Sequence, residues 1–94
     1  MSYELEFKPS ALKEWKKLGH TVKAQFKKKL AEVLEAPRIP GSQLHGGKDH
    51  YKIKLKSVGY RLVYEVNDKT VTVIVCGIGR RDDDDFYDTT MNRH

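Results

Sequence analysis

Tyr51-Lys52-Ile53-Lys54-Leu55-Lys56-Ser57-Val58-Gly59-Tyr60-Arg61-Leu62-Val63-Tyr64 is the stretch that decides the fold of this 94-residue chain. In its first half, apolar and basic side chains alternate with a period of two. Tyr51, Ile53 and Leu55 fall on one side of a strand, and Lys52, Lys54 and Lys56 on the other. A strand of this kind buries one face and turns a row of ammonium groups outward. Ser57-Val58-Gly59 then reads as a turn. A second strand returns with Tyr60, Leu62, Tyr64 and Val66 on one side and Arg61, Val63 and Glu65 on the other. The larger apolar set belongs against the core, so Arg61 is expected to share the face of the lysines.

Working outward toward the C-terminus, Asn67-Asp68-Lys69 carries a hairpin signal. Val71 to Cys76 is rich in β-branched residues and predicts a third strand. Gly77 and Gly79 follow, where the backbone is expected to bend, and Arg80 and Arg81 lie just beyond. The segment from about Asp82 to Asn92 is compatible with a short C-terminal helix. Four aspartates at its start would suit the positive end of the helix dipole. Toward the N-terminus, residues 37 to 50 hold two prolines and three glycines and read as loop. Val22, Phe26, Leu30, Val33 and Leu34 form one apolar helical stripe that Pro37 ends. Ala11, Leu12, Trp15 and Leu18 form another, with Ser10 as its N-cap and Gly19 as a left-handed stop. Thr21 restarts the helix. Tyr3 to Phe7 alternates as a short strand. The order is β-α-α-β-β-β. It predicts an α+β domain with a helical hairpin on one face of a small, mainly antiparallel sheet.

Size and composition bound the function. A chain of 94 residues is expected to form one domain, residues 1–94. It carries 18 Lys and Arg against 13 Asp and Glu, a net charge of +5, which favours an anionic partner. One cysteine, Cys76, cannot form an internal disulfide and fits a reducing cytosol. No apolar run approaches the ~20 residues that span a bilayer, and the N-terminus has acids where a signal peptide needs bases. A cytoplasmic protein without a membrane partner is expected.

The basic strand face is the main candidate for chemistry. A lysine-rich face is often simply solvated and discourages edge-to-edge pairing. Here Arg61 and the Arg80-Arg81 pair add to it, which favours a polyanion-binding surface. A second basic block, with Lys23, Lys27, Lys28 and Lys29, reads equally as an ordinary helix face or as a dock for phosphates. His45 and His50 lie on the loop entering the lysine strand, within reach of a ligand. No histidine stands at metal-ligand spacing from Cys or a carboxylate, so no metal is expected. No phosphate-cradling glycine loop is present, so no cofactor is expected either. Cys76 reads as a small buried hydrophobe, with no histidine to place beside it.

Ala11-Leu-Lys-Glu-Trp-Lys-Lys-Leu-Gly19, the Tyr51–Tyr64 segment, and Gly79-Arg-Arg-Asp82 followed by Tyr87 together closely resemble the RelE toxins, from about residue 3 to 88. The resemblance implies a ribosome-dependent mRNA interferase of a toxin–antitoxin pair, which cuts the codon in the ribosomal A site. It implies Lys52, Lys54, Arg61, Arg81 and Tyr87 as the catalytic set. Lys54 would be the general base, Arg81 would serve the leaving oxygen, Lys52 and Arg61 would hold the phosphate, and Tyr87 would stack on a base. Lys23, Lys27, Lys28, His45, Lys56 and Arg80 would contact RNA. The implied partners are a RelB-like antitoxin, mRNA and small-subunit rRNA, with operator DNA reached only through the antitoxin. Two alternatives remain open: a non-catalytic gyrase inhibitor like the ParE toxins, and an RNA- or ribosome-binding module that blocks translation without cutting. A lysine amine has a reference pKa of about 10.4 and must lose several units to act as a base. Neighbouring cations push it that way.

Overall fold

The computed structural model describes residues 2–44 and 49–80. In chain order they form β1 (Glu4–Phe7), α1 (Pro9–Lys16), α2 (His20–Glu35), β2 (His50–Leu55), β3 (Tyr60–Asn67) and β4 (Thr72–Arg80). The strands make one sheet in the order β1-β4-β3-β2. β2–β3 and β3–β4 are antiparallel, and β1 runs parallel to β4. The α+β arrangement expected from the sequence is therefore present. The expected C-terminal helix lies outside the described residues.

The core sits between the helices and one sheet face. Phe26, Leu30 and Val33 of α2 and Ala11 of α1 are buried against Ile53, Leu62, Tyr64, Val75 and their neighbours. The rings of Phe7, Trp15 and Phe26 extend this layer toward β1, with centroids 5.3 and 6.3 Å apart. Tyr51 and Tyr64 stack across β2 and β3 at 5.6 Å. The Tyr64 hydroxyl donates to the Pro37 carbonyl at 2.8 Å. The loop after α2 is pinned by Arg38, which reaches Asp49 at 3.1 Å and Asp68 at 2.7 Å. Tyr3 donates to the same Asp68 at 2.8 Å. These bonds hold the Asp68 carboxyl below the usual carboxylate range, Arg38 contributing most.

Several local expectations are corrected. Ser10 does not cap α1. Lys8 holds the cap position without a side-chain bond, and Pro9 opens the helix, where its fixed φ and missing N–H cost nothing. Gly19 is not a left-handed stop. It precedes α2 with φ −65°, and that helix begins at His20, one residue before Thr21. The third strand does not end at Cys76. β4 runs on through Gly77 and Gly79 to Arg80, and neither glycine has positive φ.

The continuation depends on a β-bulge. Val63 pairs with Gly77 but Tyr64 pairs with Val75, which leaves Cys76 as an extra residue in β4. The bulge shifts the alternation by one. Val73 and Val75 face the core before it, and Ile78 faces the core after it. Cys76 instead packs with Val63 on the opposite face, under Leu44. That face is thus partly closed by the loop. Residues 42–44 also cover part of the outer edge of β2, through Leu44 N–H to the His50 carbonyl at 2.9 Å and Lys52 N–H to the Ser42 carbonyl at 3.0 Å.

Candidate active site

The register of β2 and β3 places Lys54 directly opposite Arg61, and Lys52 opposite Val63. Directly paired residues share a face, so Lys52, Lys54 and Arg61 lie together on the side away from the helices, as the alternation predicted. Lys54 is exposed, and Lys52 and Arg61 are half-buried. Across β3, Arg61 faces Gly79 of β4. With no side chain at Gly79, the guanidinium crosses the strand, and its Nε donates to the Arg80 carbonyl at 3.4 Å. Arg80 is paired with Tyr60, which is on the core-facing register. Its side chain therefore departs from the other side of the sheet, at the exposed strand end. Lys56 is exposed in the turn that follows β2. Arg81, Tyr87 and His45 lie outside the described residues.

The lysines of α2 do not all lie on one side of the helix. Successive helical residues point about 100° apart. Lys28 and Lys29 border Leu55 at the β2 side, and Lys29 shares a cleft of about 190 Å³ with Ser42, Lys52 and Lys54. Lys27 borders Leu5, Trp15 and Leu30 on the β1 side. Lys23 is half-buried one turn earlier. The fold thus brings Lys29, which was only part of a run in the sequence, to the lysine strand. A larger cleft of about 510 Å³ at the far end of β3 is lined by Arg38, Asp49, Glu65 and Asp68. Three carboxylates, of Asp49, Glu65 and Asp68, sit in that lining and repel an anion, so the basic face of β2 and β3 is the stronger place for one.

Fixed cations one residue pair apart on an open face can hold a phosphodiester and neutralise charge that develops on it. None of the three is itself a strong nucleophile while protonated, so such a face suits a reaction whose nucleophile belongs to the substrate.

Sequence spacing missed one constellation on the same face. His50 pairs with Glu65 across β2 and β3, and the bulge turns Cys76 toward them. The donor atoms of His50, Glu65 and Cys76 lie within 4.8 Å of one another. The expectation that no histidine stands beside Cys76 is thereby corrected. His50 and Glu65 are 15 positions apart and Glu65 and Cys76 are 11 apart, so only pairing of β2, β3 and β4 reveals them. Cys76 is wholly buried. Burial lowers the His50 pKa, with a smaller push from Lys8 opposed by Glu65 and Asp49, which keeps the imidazole neutral near neutral pH.

Residues 5–85 match the family described as the ParE toxin of the type II toxin–antitoxin system parDE. The chain is 54% identical over 93 residues to the mRNA interferase toxin RelE of Escherichia coli, covering 99% of this chain and 98% of that protein. A mutant of E. coli toxin RelE in the free state superposes with TM-score 0.90 and 53% identity over 99% of this chain and 98% of that one. The toxin in the intact E. coli RelBE toxin–antitoxin complex gives 0.82 and 58%, over 84% of this chain and 96% of that one. Full-length identity at this level, with the same fold, settles the ancestry: the chain belongs to the RelE toxins of the ParE/RelE family.

Proposed function

We propose that this chain is the toxin of a type II toxin–antitoxin pair and an mRNA endoribonuclease that cuts the codon in the ribosomal A site, in the cytoplasm where messages are translated. The observation that carries this reading is the Lys54–Arg61 cross-strand pair, with Lys52 on the same open face, in a chain so similar to a protein named an mRNA interferase. The mRNA 2′-hydroxyl attacks the adjacent phosphorus, the bond to the 5′ oxygen breaks, and the departing oxygen takes a proton from water. The products are a 2′,3′-cyclic phosphate and a free 5′-hydroxyl. Lys54 takes the proton from the 2′-hydroxyl. Lys52 and Arg61 hold the phosphate and its developing charge. Arg81 serves the leaving oxygen, chiefly electrostatically because Arg stays protonated, and Tyr87 stacks on a base. The ribosome orients the message, which supplies the positional part of the rate enhancement. Lys28 and Lys29, at the β2 edge of α2, and Lys56, in the turn after β2, extend the basic surface around that edge and meet rRNA. A RelB-like antitoxin is the neutralising partner, as RelB accompanies RelE in the E. coli complex.

Primer extension on a message translated in vitro tests this. The intact protein should give codon-phased 5′ ends. Lys54→Ala, Arg61→Ala and Arg81→Ala should each reduce them by roughly 10²–10³-fold, the range for a lost catalytic proton carrier or oxyanion donor. Intact message on arrested ribosomes would make the protein a translation blocker, and DNA breaks would make it a gyrase inhibitor. Cutting of naked RNA as fast as translated RNA would remove the ribosome from the mechanism.

A further inference from the structure

We propose that His50, Glu65 and Cys76 form a binding site for a dication of the zinc type, with one donor from each of β2, β3 and β4. Their donor atoms lie within 4.8 Å of one another. A tetrahedral zinc with one nitrogen, one oxygen and one sulfur ligand sets these donors roughly 3.3–3.7 Å apart. Staggered side-chain torsions of His50 and Glu65 close a gap of about 1 Å without moving the backbone. Three protein ligands leave a fourth position for water.

A second observation points to a ligand. The Nδ1 atom of His50 is shut off from solvent and has no hydrogen-bond partner among the described residues. Buried polar atoms of this kind are rarely left unsatisfied. The alternatives fit less well. Cys76 is fully buried, so no polymeric substrate reaches its sulfur and a nucleophilic role fails. The donors are imidazole, carboxylate and thiol, which is a borderline-soft set and not the all-oxygen shell of calcium or magnesium. Val63 and Leu44 wall the thiol side with apolar groups, and such a shell limits solvent access to a bound ion.

Binding needs no oxidant. The Cys76 thiol releases its proton to solvent as the sulfur–metal bond forms, giving up its contact with the Ile74 carbonyl at 3.5 Å. The dication replaces one proton, so the local charge rises by one, two residues along β2 from Lys52. A loaded site would therefore tie three strands together at the bulge and add positive charge beside the basic face. This inference does not depend on the nuclease reading.

The test uses untagged full-length protein stripped with EDTA, with cobalt(II) as probe and zinc as competitor. The chain has one cysteine, so a thiolate-to-cobalt charge-transfer band reports Cys76 alone. We expect one cobalt per chain, that band, and its loss when zinc is added. The band should vanish in Cys76→Ser, and cobalt affinity should fall at least about tenfold in His50→Gln and in Glu65→Gln. These last two positions are half-buried, so if Cys76→Ser fails to fold they decide the matter, with far-UV circular dichroism checking their fold. Absence of the band in the intact protein at millimolar cobalt overturns the proposal. So does unchanged affinity in both His50→Gln and Glu65→Gln.

Discussion

Tyr64 is wholly buried, yet its hydroxyl is satisfied by the Pro37 carbonyl at 2.8 Å. Burial is the main force that raises its pKa, with the nearby Tyr51 adding to it. A phenol whose folded pKa lies above its unfolded value contributes stability that is complete below about pH 10 and is lost as pH rises through the folded value. Tyr64→Phe removes one of the two hydrogen bonds that the Pro37 carbonyl accepts, the other coming from the Ile39 N–H at 3.1 Å, and should cost about 0.5–1.5 kcal/mol. Urea denaturation at pH 8 should show that loss, and the alkaline fall in stability above about pH 10 should be shallower in the variant. The sequence announced Tyr64 as a core position by its alternation. It did not announce the bond, because Pro37 is 27 residues away and meets Tyr64 only through the loop. Lys54 and Arg61 differ in this respect. A turn of known length joins their strands, so their pairing followed from the local pattern alone.

At the scale of elements, β4 is where local reading failed. Gly77 and Gly79 resemble a bend in sequence, but the antiparallel partner β3 holds them in the sheet. Their value lies in the missing side chains, not in unusual φ. A bulge cannot be read from a period-two pattern, since the extra residue looks like an ordinary strand position until the partner strand is present. Gly79→Val tests this use of glycine. Valine suits a strand, so thermal unfolding should change little. Its side chain would stand beside Arg61 on the open face. Cleavage of translated message should fall at least about tenfold, the scale of one lost charge-assisted contact of roughly 1.5 kcal/mol. A variant that kept full cleavage would show that the space over Gly79 is not used.

For the whole molecule, the net charge of +5 matters because the fold gathers part of it on one face. If Lys52, Lys54 and Arg61 each neutralise one phosphate, affinity for a short single-stranded RNA should fall with salt at a log–log slope of about −2. Fluorescence anisotropy across a potassium chloride series measures this, and Lys54→Ala should reduce the slope by roughly 0.7. By itself, the sequence determined the α+β class, the apolar stripe of α2 and the Lys52–Lys54–Arg61 face. Each is set by periodicity within a segment or between strands joined by one short turn. Only the tertiary structure decided the parallel seating of β1 beside β4, the bulge at Cys76, the parting of Lys27 from Lys28, and the meeting of His50 with Glu65 and Cys76. These depend on which distant segments pair and in what register, and the free energy that selects the register comes from burying the whole core at once.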